Sequence, residues 1–183
     1  MGEVTTLIRA ANGGDPQALN RLFTLLYDDL HQLAHARLRS NQPDILLDTT
    51  SLLHETYARL AGVEELTLQD RQHFFAYAAR AMRFIVVDFA RRHSALRRGA
   101  GQPHVPLSDD VAAAVPERSN EVIRVHEALE QLEQVDPELC RLVEMRYFVG
   151  LPVGAVAEAL GVSTRTVERQ WLKARAILFA SIA

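Results

Sequence analysis

Apolar positions recur at helical spacing along most of the chain, and nowhere do they alternate with the period of two that a half-buried strand requires. The clearest run starts at Asp15-Pro16, a capping residue followed by the residue favoured at the first helical position. Leu19, Leu22, Phe23, Leu26, Tyr27, Leu30, Leu33, Ala34 and Leu38 then keep one apolar face to about residue 40. A short helix over 4–11 is expected before it, stopped by Asn12-Gly13-Gly14. After a connection at 41–47 around Pro43, a helix is expected from about Thr49 to Ala61, with Leu53, Thr56, Tyr57 and Leu60 on one side and Gly62 ending it. Residues 62–70 read as a loop. A long helix follows over about 71–98, with Phe75, Ala78, Ala79, Met82, Ile85, Val86 and Phe89 inward.

The pattern lapses over 99–118, where glycine and proline cluster early and Pro116 follows Ser108-Asp109-Asp110. This stretch reads as a flexible linker and a domain boundary. Helical spacing returns with Ser119 as a cap and Val122, Val125, Leu129 and Leu132 behind it. Asp136-Pro137-Glu138 starts a further helix through Leu139, Leu142, Val143 and Tyr147 to Gly150. The expected fold is all-α: two small helical domains, 1–98 and 119–183, joined by the linker 99–118.

The last stretch reads as a helix-turn-helix. Val153, Val156, Ala157 and Leu160 line one face of a short helix that Pro152 opens at its first position. Gly161 can take the positive φ of a sharp turn, and Ser163 is a good cap for the next helix. Val167, Trp171, Ala174 and Leu178 form that helix's apolar back. Ser163, Thr164, Arg165, Thr166, Arg169 and Lys173 occupy the other side. Small polar and long cationic side chains on one face are what a helix in the major groove requires.

Composition changes this picture little, but charge distribution does. The 183 residues are 48% hydrophobic, enough for a core, and the net charge is −3. That sum hides two basic segments around an acidic one: about +5 over 70–98, about −7 over 99–160 and about +3 over 161–183. No apolar run reaches membrane-spanning length and the N-terminus has no secretory pattern, so a cytoplasmic location is expected. Cys140, the single cysteine, reads as a packed small hydrophobe.

The basic segment 70–98 interleaves Phe74, Phe75, Tyr77 and Phe84 with Arg80, Arg83, Arg91 and Arg92. Cations for the backbone and aromatic faces for unstacked bases are what a single nucleic-acid strand needs. Alone, this could equally be an amphipathic helix with core aromatics and solvated arginines. Catalytic patterns are poor. His54-Glu55 lacks the second histidine a zinc helix needs, because Arg59 follows. His31 and His35 are the only metal-like pair. No enzyme activity, metal or cofactor is expected.

These residues together resemble bacterial RNA polymerase sigma factors of the extracytoplasmic-function (ECF) group of the sigma-70 family, over nearly the whole chain. Leu142-Val-Glu-Met-Arg-Tyr-Phe-Val-Gly-Leu151, with Val156-Ala-Glu-Ala-Leu-Gly-Val-Ser163 and Thr166-Val167, is similar to region 4. Asp48-Thr-Thr-Ser-Leu-Leu-His-Glu-Thr-Tyr-Ala-Arg-Leu60 is similar to region 2.2, and 75–92 to regions 2.3 and 2.4. The resemblance implies an alternative sigma factor that binds core RNA polymerase and directs promoter-specific transcription initiation. Asp48, Leu52, Leu53, His54 and Glu55 would dock on the β′ clamp. Phe75, Tyr77, Arg80, Arg83, Phe84, Arg91 and Arg92 would melt and read the −10 element. Region 4 would bind the −35 element through Ser163, Thr164, Arg165, Thr166, Arg169 and Lys173, and the β flap.

Two positions depart from the family pattern. Region 2.2 usually opens on acidic residues, where this chain has Asp48-Thr49-Thr50-Ser51, and phosphorylation of Thr49, Thr50 or Ser51 would restore the charge. The same hydroxyls could merely cap the helix. Phe84 stands where relatives often carry Asn. The sequence leaves control by a Ser/Thr kinase or by an anti-sigma factor open. The main rival reading is a stand-alone helix-turn-helix regulator that does not bind polymerase.

Overall fold

The computed structural model describes residues 2–41, 47–63, 67–99 and 109–182, and among these it forms helices and no strand. The elements are α1 (Glu3–Asn12), α2 (Pro16–Asn41), α3 (Thr49–Ala61), α4 (Arg71–Gly99), α5 (Asp109–Val135), α6 (Pro137–Glu144), α7 (Val153–Leu160) and α8 (Thr164–Ile182). A π-helical turn, Met145–Val149, continues α6.

Local chemistry explains most boundaries. Asp15 Oδ1 accepts the Gln17 N–H at 2.9 Å and starts α2. Asp48 Oδ2 accepts from Ser51 N at 3.1 Å and caps α3. Asp136 Oδ1 accepts from Leu139 N at 3.1 Å, with Pro137 opening α6. Each side-chain oxygen satisfies a backbone donor that the helix start would leave unpaired. One long-range tie was not expected. Asn12, read only as a stop signal, clamps Leu68 through its backbone N–H (2.8 Å) and carbonyl (2.6 Å). That fixes the approach to α4 beneath the end of α1.

Two expectations need correction. α5 begins at Asp109, so the position expected to cap it, Ser119, lies inside the helix, and the second half of the expected linker is helical backbone. Residues 100–108 of that linker, and the Pro43 connection, lie outside the described residues. Pro152 stands just before α7, with φ −66° and ψ 156°, rather than at its first position.

α1 packs on α2, α2 on α3 and the π turn, and α3 on one side of α4, with Leu22, Phe23, Leu30, Leu53 and Phe74 buried among them. The other side of α4 packs on α5, α6, the π turn and α7. Val122, Leu129, Leu142, Met145 and Val149 are buried there, and the core runs without a break from one group of helices to the other. α4 is thus a shared central helix. Its stripe Phe75, Ala78, Met82, Ile85 lies beside a second stripe, Ala76, Ala79, Arg83, Val86, Ala90, and every one of these positions is buried.

Candidate nucleic-acid interface and docking surface

The helix-turn-helix forms as its residue types dictate. Gly161 ends α7 at φ +65°, in the left-handed region where a Cβ is disfavoured, and Val162 N donates back to Ala157 O at 2.9 Å. Ser163 Oγ accepts the Thr166 N–H at 3.1 Å and lies 2.9 Å from Thr166 Oγ1. Val167 and Ala174 form the buried back of α8, with Trp171 and Leu178 half-buried beside them. The Arg146 guanidinium from the π turn lies 5.2 Å from the Trp171 ring centroid and donates to Leu151 O at 3.1 Å. These contacts set the angle between the π turn and α8.

The outward face of α8 presents Ser163, Thr164, Arg165 and Arg169 to solvent, with Thr166 half-buried. Lys173 continues this face but is occupied. Its Nζ donates to Asp136 Oδ2 at 2.9 Å, which ties α8 to the start of α6 and holds the Asp136 carboxyl below its ordinary value.

On α3 the expected docking residues divide by face. Asp48, His54 and Glu55 are exposed, together with Ser51. Leu52 and Leu53 are core residues, 1% and 0% exposed, and support that surface from behind. The three hydroxyls also differ. Thr49 is buried, with Oγ1 3.3 Å from His35 Nδ1, whereas Thr50 is half-buried and Ser51 exposed. His35 stacks on His31 at a centroid distance of 5.9 Å, and no group of three or more metal-binding side chains occurs among the described residues.

The expected −10 residues on α4 are not brought together on one open surface. Phe75 is buried edge-on against Phe74, with the Arg71 guanidinium 5.0 Å from its ring centroid. Tyr77 is half-buried beside His73. Arg91 and Arg92 are exposed, and the Arg97 and Arg98 side chains lie outside the described ones. Arg80 pairs with Glu133 of α5 at 2.6 Å. Arg83 is fully buried. Its Nη1 reaches Glu144 Oε1 at 2.7 Å, Glu133 Oε2 at 3.6 Å and Cys140 Sγ at 3.5 Å, and its Nε donates to His126 Nδ1 at 3.0 Å. Phe84, half-buried, meets the His126 ring edge-on at 5.5 Å. In this arrangement neither Phe75 nor Arg83 can touch DNA.

The environment of that cluster shifts its groups. An Arg83 N–H pointing at Nδ1 requires an unprotonated nitrogen there, leaving Nε2 to face Glu130 Oε1 at 3.5 Å. Burial, then the Arg83 charge, lower the His126 pKa. Burial raises that of Glu144 against the pull of Arg83, and pushes the Cys140 thiol up to about 12.

Sequence reasoning missed His126, Glu133 and Glu144 as partners of α4. The signal was present: Glu144 stands within the apolar run Leu142-Val143-Glu144-Met145, and Arg83 interrupts the small-residue stripe Ala76, Ala79, Val86 and Ala90.

An all-helical chain that ends in a capped helix-turn-helix with a free polar and cationic face has the architecture of a DNA-binding transcription protein. The family model for "ECF sigma factor" matches residues 1–183. The chain belongs to that family: it is an alternative sigma factor of the sigma-70 type, from a family of non-enzymatic factors of transcription initiation whose partners are core RNA polymerase and promoter DNA. Searches of curated proteins and of solved structures gave no match. No helix among the described residues is long and apolar enough to cross a membrane.

Proposed function

We propose that this sigma factor works as two bodies, 1–98 and 119–183. The first docks on the β′ clamp through Asp48, His54 and Glu55 and handles the −10 strand with α4. The second enters the −35 major groove with α8 and meets the β flap. The observation that carries this reading is the exposed Ser163, Thr164, Arg165 and Arg169 face at the capped N-terminal end of α8. Arg165 and Arg169 reach base edges, while Arg91 and Arg92 hold phosphates. Run-off transcription with core polymerase tests it. Arg169→Ala is expected to relax promoter selectivity, at about 1–3 kcal/mol for a lost bidentate base contact. An equal loss on all promoters would make it a phosphate contact, and failure of the chain to bind core polymerase would favour the stand-alone regulator.

The docking surface is short of negative charge, and a Ser/Thr kinase is the regulator that its chemistry fits. Exposure favours Ser51, and next Thr50, over the buried Thr49. A phosphate there would add about −1.5 to −2 charges at the N-terminal end of α3, where the helix dipole favours an anion. Ser51→Glu is expected to bind core polymerase more tightly than the unmodified chain. Equal binding by the two would remove the switch and leave an anti-sigma factor as the regulator to seek.

A further inference from the structure

We infer that the free chain is closed on itself, with the acidic face of α5 and α6 occupying the surface of α4 that a nucleic-acid strand would take. The inference rests on the reading of α4 as a strand-binding helix and adds an intramolecular competitor for it. Four observations converge. The charge order along the chain, basic then acidic then basic, becomes a contact in space, because the acidic segment packs on the basic helix. The two central arginines are both taken by carboxylates from across that seam: Arg80 by Glu133, and Arg83 by Glu144 with Glu133 beyond it. The aromatic ring on the same side is engaged as well: Phe84, half-buried, meets the His126 ring edge-on at 5.5 Å, so it is partly covered against a base that would stack on it. The seam extends to α7, where Gln72 Nε2 donates to Glu158 Oε2 at 2.7 Å.

Carboxylates at the places of phosphates give the closed form the charge of the ligand it excludes. A buried arginine without its carboxylate is strongly destabilised, whereas replacing both partners by apolar side chains is close to neutral. Without Glu144, Arg83 keeps only the longer contact to Glu133, so the seam opens when that charge is removed and holds when Arg83 and Glu144 are both replaced by apolar side chains.

Cys140 reports on the seam, since its Sγ lies 3.5 Å from Arg83 and the residue is 2% exposed. The experiment uses the full chain without polymerase. Iodoacetamide should label Cys140 slowly in the wild type, at least about tenfold faster in Glu144→Ala, and slowly again in the double variant Arg83→Met/Glu144→Met. A T/A-rich single-stranded oligonucleotide with a fluorescent tag should bind Glu144→Ala more tightly than the wild type by a similar factor. Small-angle scattering of the wild type should give a radius of gyration near ~16 Å, the value for one compact body of this length.

Fast labelling of the wild type, or a radius well above that value, overturns the closure, and both measurements stand even if Glu144→Ala fails to fold. Labelling equally slow in the wild type and in a folded Glu144→Ala overturns the role of the buried pair. Faster labelling of Glu144→Ala without tighter oligonucleotide binding leaves the closure standing and overturns both the competition and the reading of α4 as the strand-binding helix.

Discussion

His126 is the residue whose protonation most directly opposes the arrangement around Arg83. Its Nδ1 accepts from Arg83 Nε, and a second proton would set two N–H groups against each other. The groups that bear on it are Arg83 and Arg91, which lower its pKa, and Glu130 and Asp88, which raise it. Because the folded value lies below the ordinary 6.5, the unfolded chain holds more protons as the pH falls below that point. The contribution to stability is complete above about 6.5 and is lost as the pH falls through the depressed value. His73 acts in the same direction, mainly through burial. Glu144 acts in the other, since its raised pKa makes the folded chain the better proton binder as the pH falls through that value. His126→Gln keeps an acceptor for Arg83 without titrating. Melting temperatures measured between pH 7.5 and 5.5 should fall less in this variant than in the wild type, and equal slopes would contradict the assignment. At Gly161 an added Cβ would meet nothing within 4 Å, so Gly161→Ala isolates the cost of its positive φ. The expected loss is about 1–2 kcal/mol in a denaturant titration.

At the scale of elements, the sequence was most legible where a side chain closes a helix end. α3 runs from Thr49 to Ala61, as its pattern predicts, because Asp48 and Gly62 mark its limits chemically. Asp136-Pro137 and Gly161 with Ser163 mark α6 and α8 in the same way. Asp48→Ala should cost about 1 kcal/mol in thermal or chemical unfolding, through the lost bond to Ser51 N. On the proposed docking at the β′ clamp, it should also weaken polymerase binding, because an exposed acid is lost. α5 was less legible, since its first turns carry Pro116 and no regular apolar stripe, and its start was placed ten residues late. For α4, periodicity identifies an apolar face but not how many neighbours share the helix. The inward face from Phe75 to Phe89, Ala79 and Val86 included, satisfied the expectation of one core, and Arg83 beside it read as a solvated or nucleic-acid-facing cation. An arginine between Ala79 and Val86 on a small-residue seam reads correctly only once an opposing carboxylate is known, and Glu144 is 61 residues away.

For the whole molecule, the distribution of charge matters more than its sum. A net charge of −3 would repel DNA weakly at long range, yet the basic segments are local and act within a Debye length of about 8–10 Å. Promoter binding should therefore be strongly salt-dependent. Each phosphate contact removed should reduce the log–log salt slope by about 1, so Arg91→Ala should flatten it, while Arg169→Ala should leave it nearly unchanged if that residue reads a base. The candidate site was legible as a set of elements but not as one surface. Residue types placed the helix-turn-helix and the basic helix, the family resemblance named the docking helix, and periodicity already turned Phe75 and Leu53 inward, but the burial of Arg83 and Leu52 depends on tertiary neighbours that local pattern does not encode.

The π turn at Met145–Val149 has a consequence of phase. It is wound more loosely than the α-helix it continues, as if one residue had been inserted into α6. Each residue of an α-helix advances the rotation by about 100°. Deleting one residue within 145–149 would let the segment rewind as α-helix with the downstream helices close to their present phase, whereas a deletion within α6, which has no loose turn to absorb it, would turn everything downstream by about that angle. Such a deletion in α6 would swing the Arg165 and Arg169 face of α8 to a new direction while every residue of α8 stayed intact.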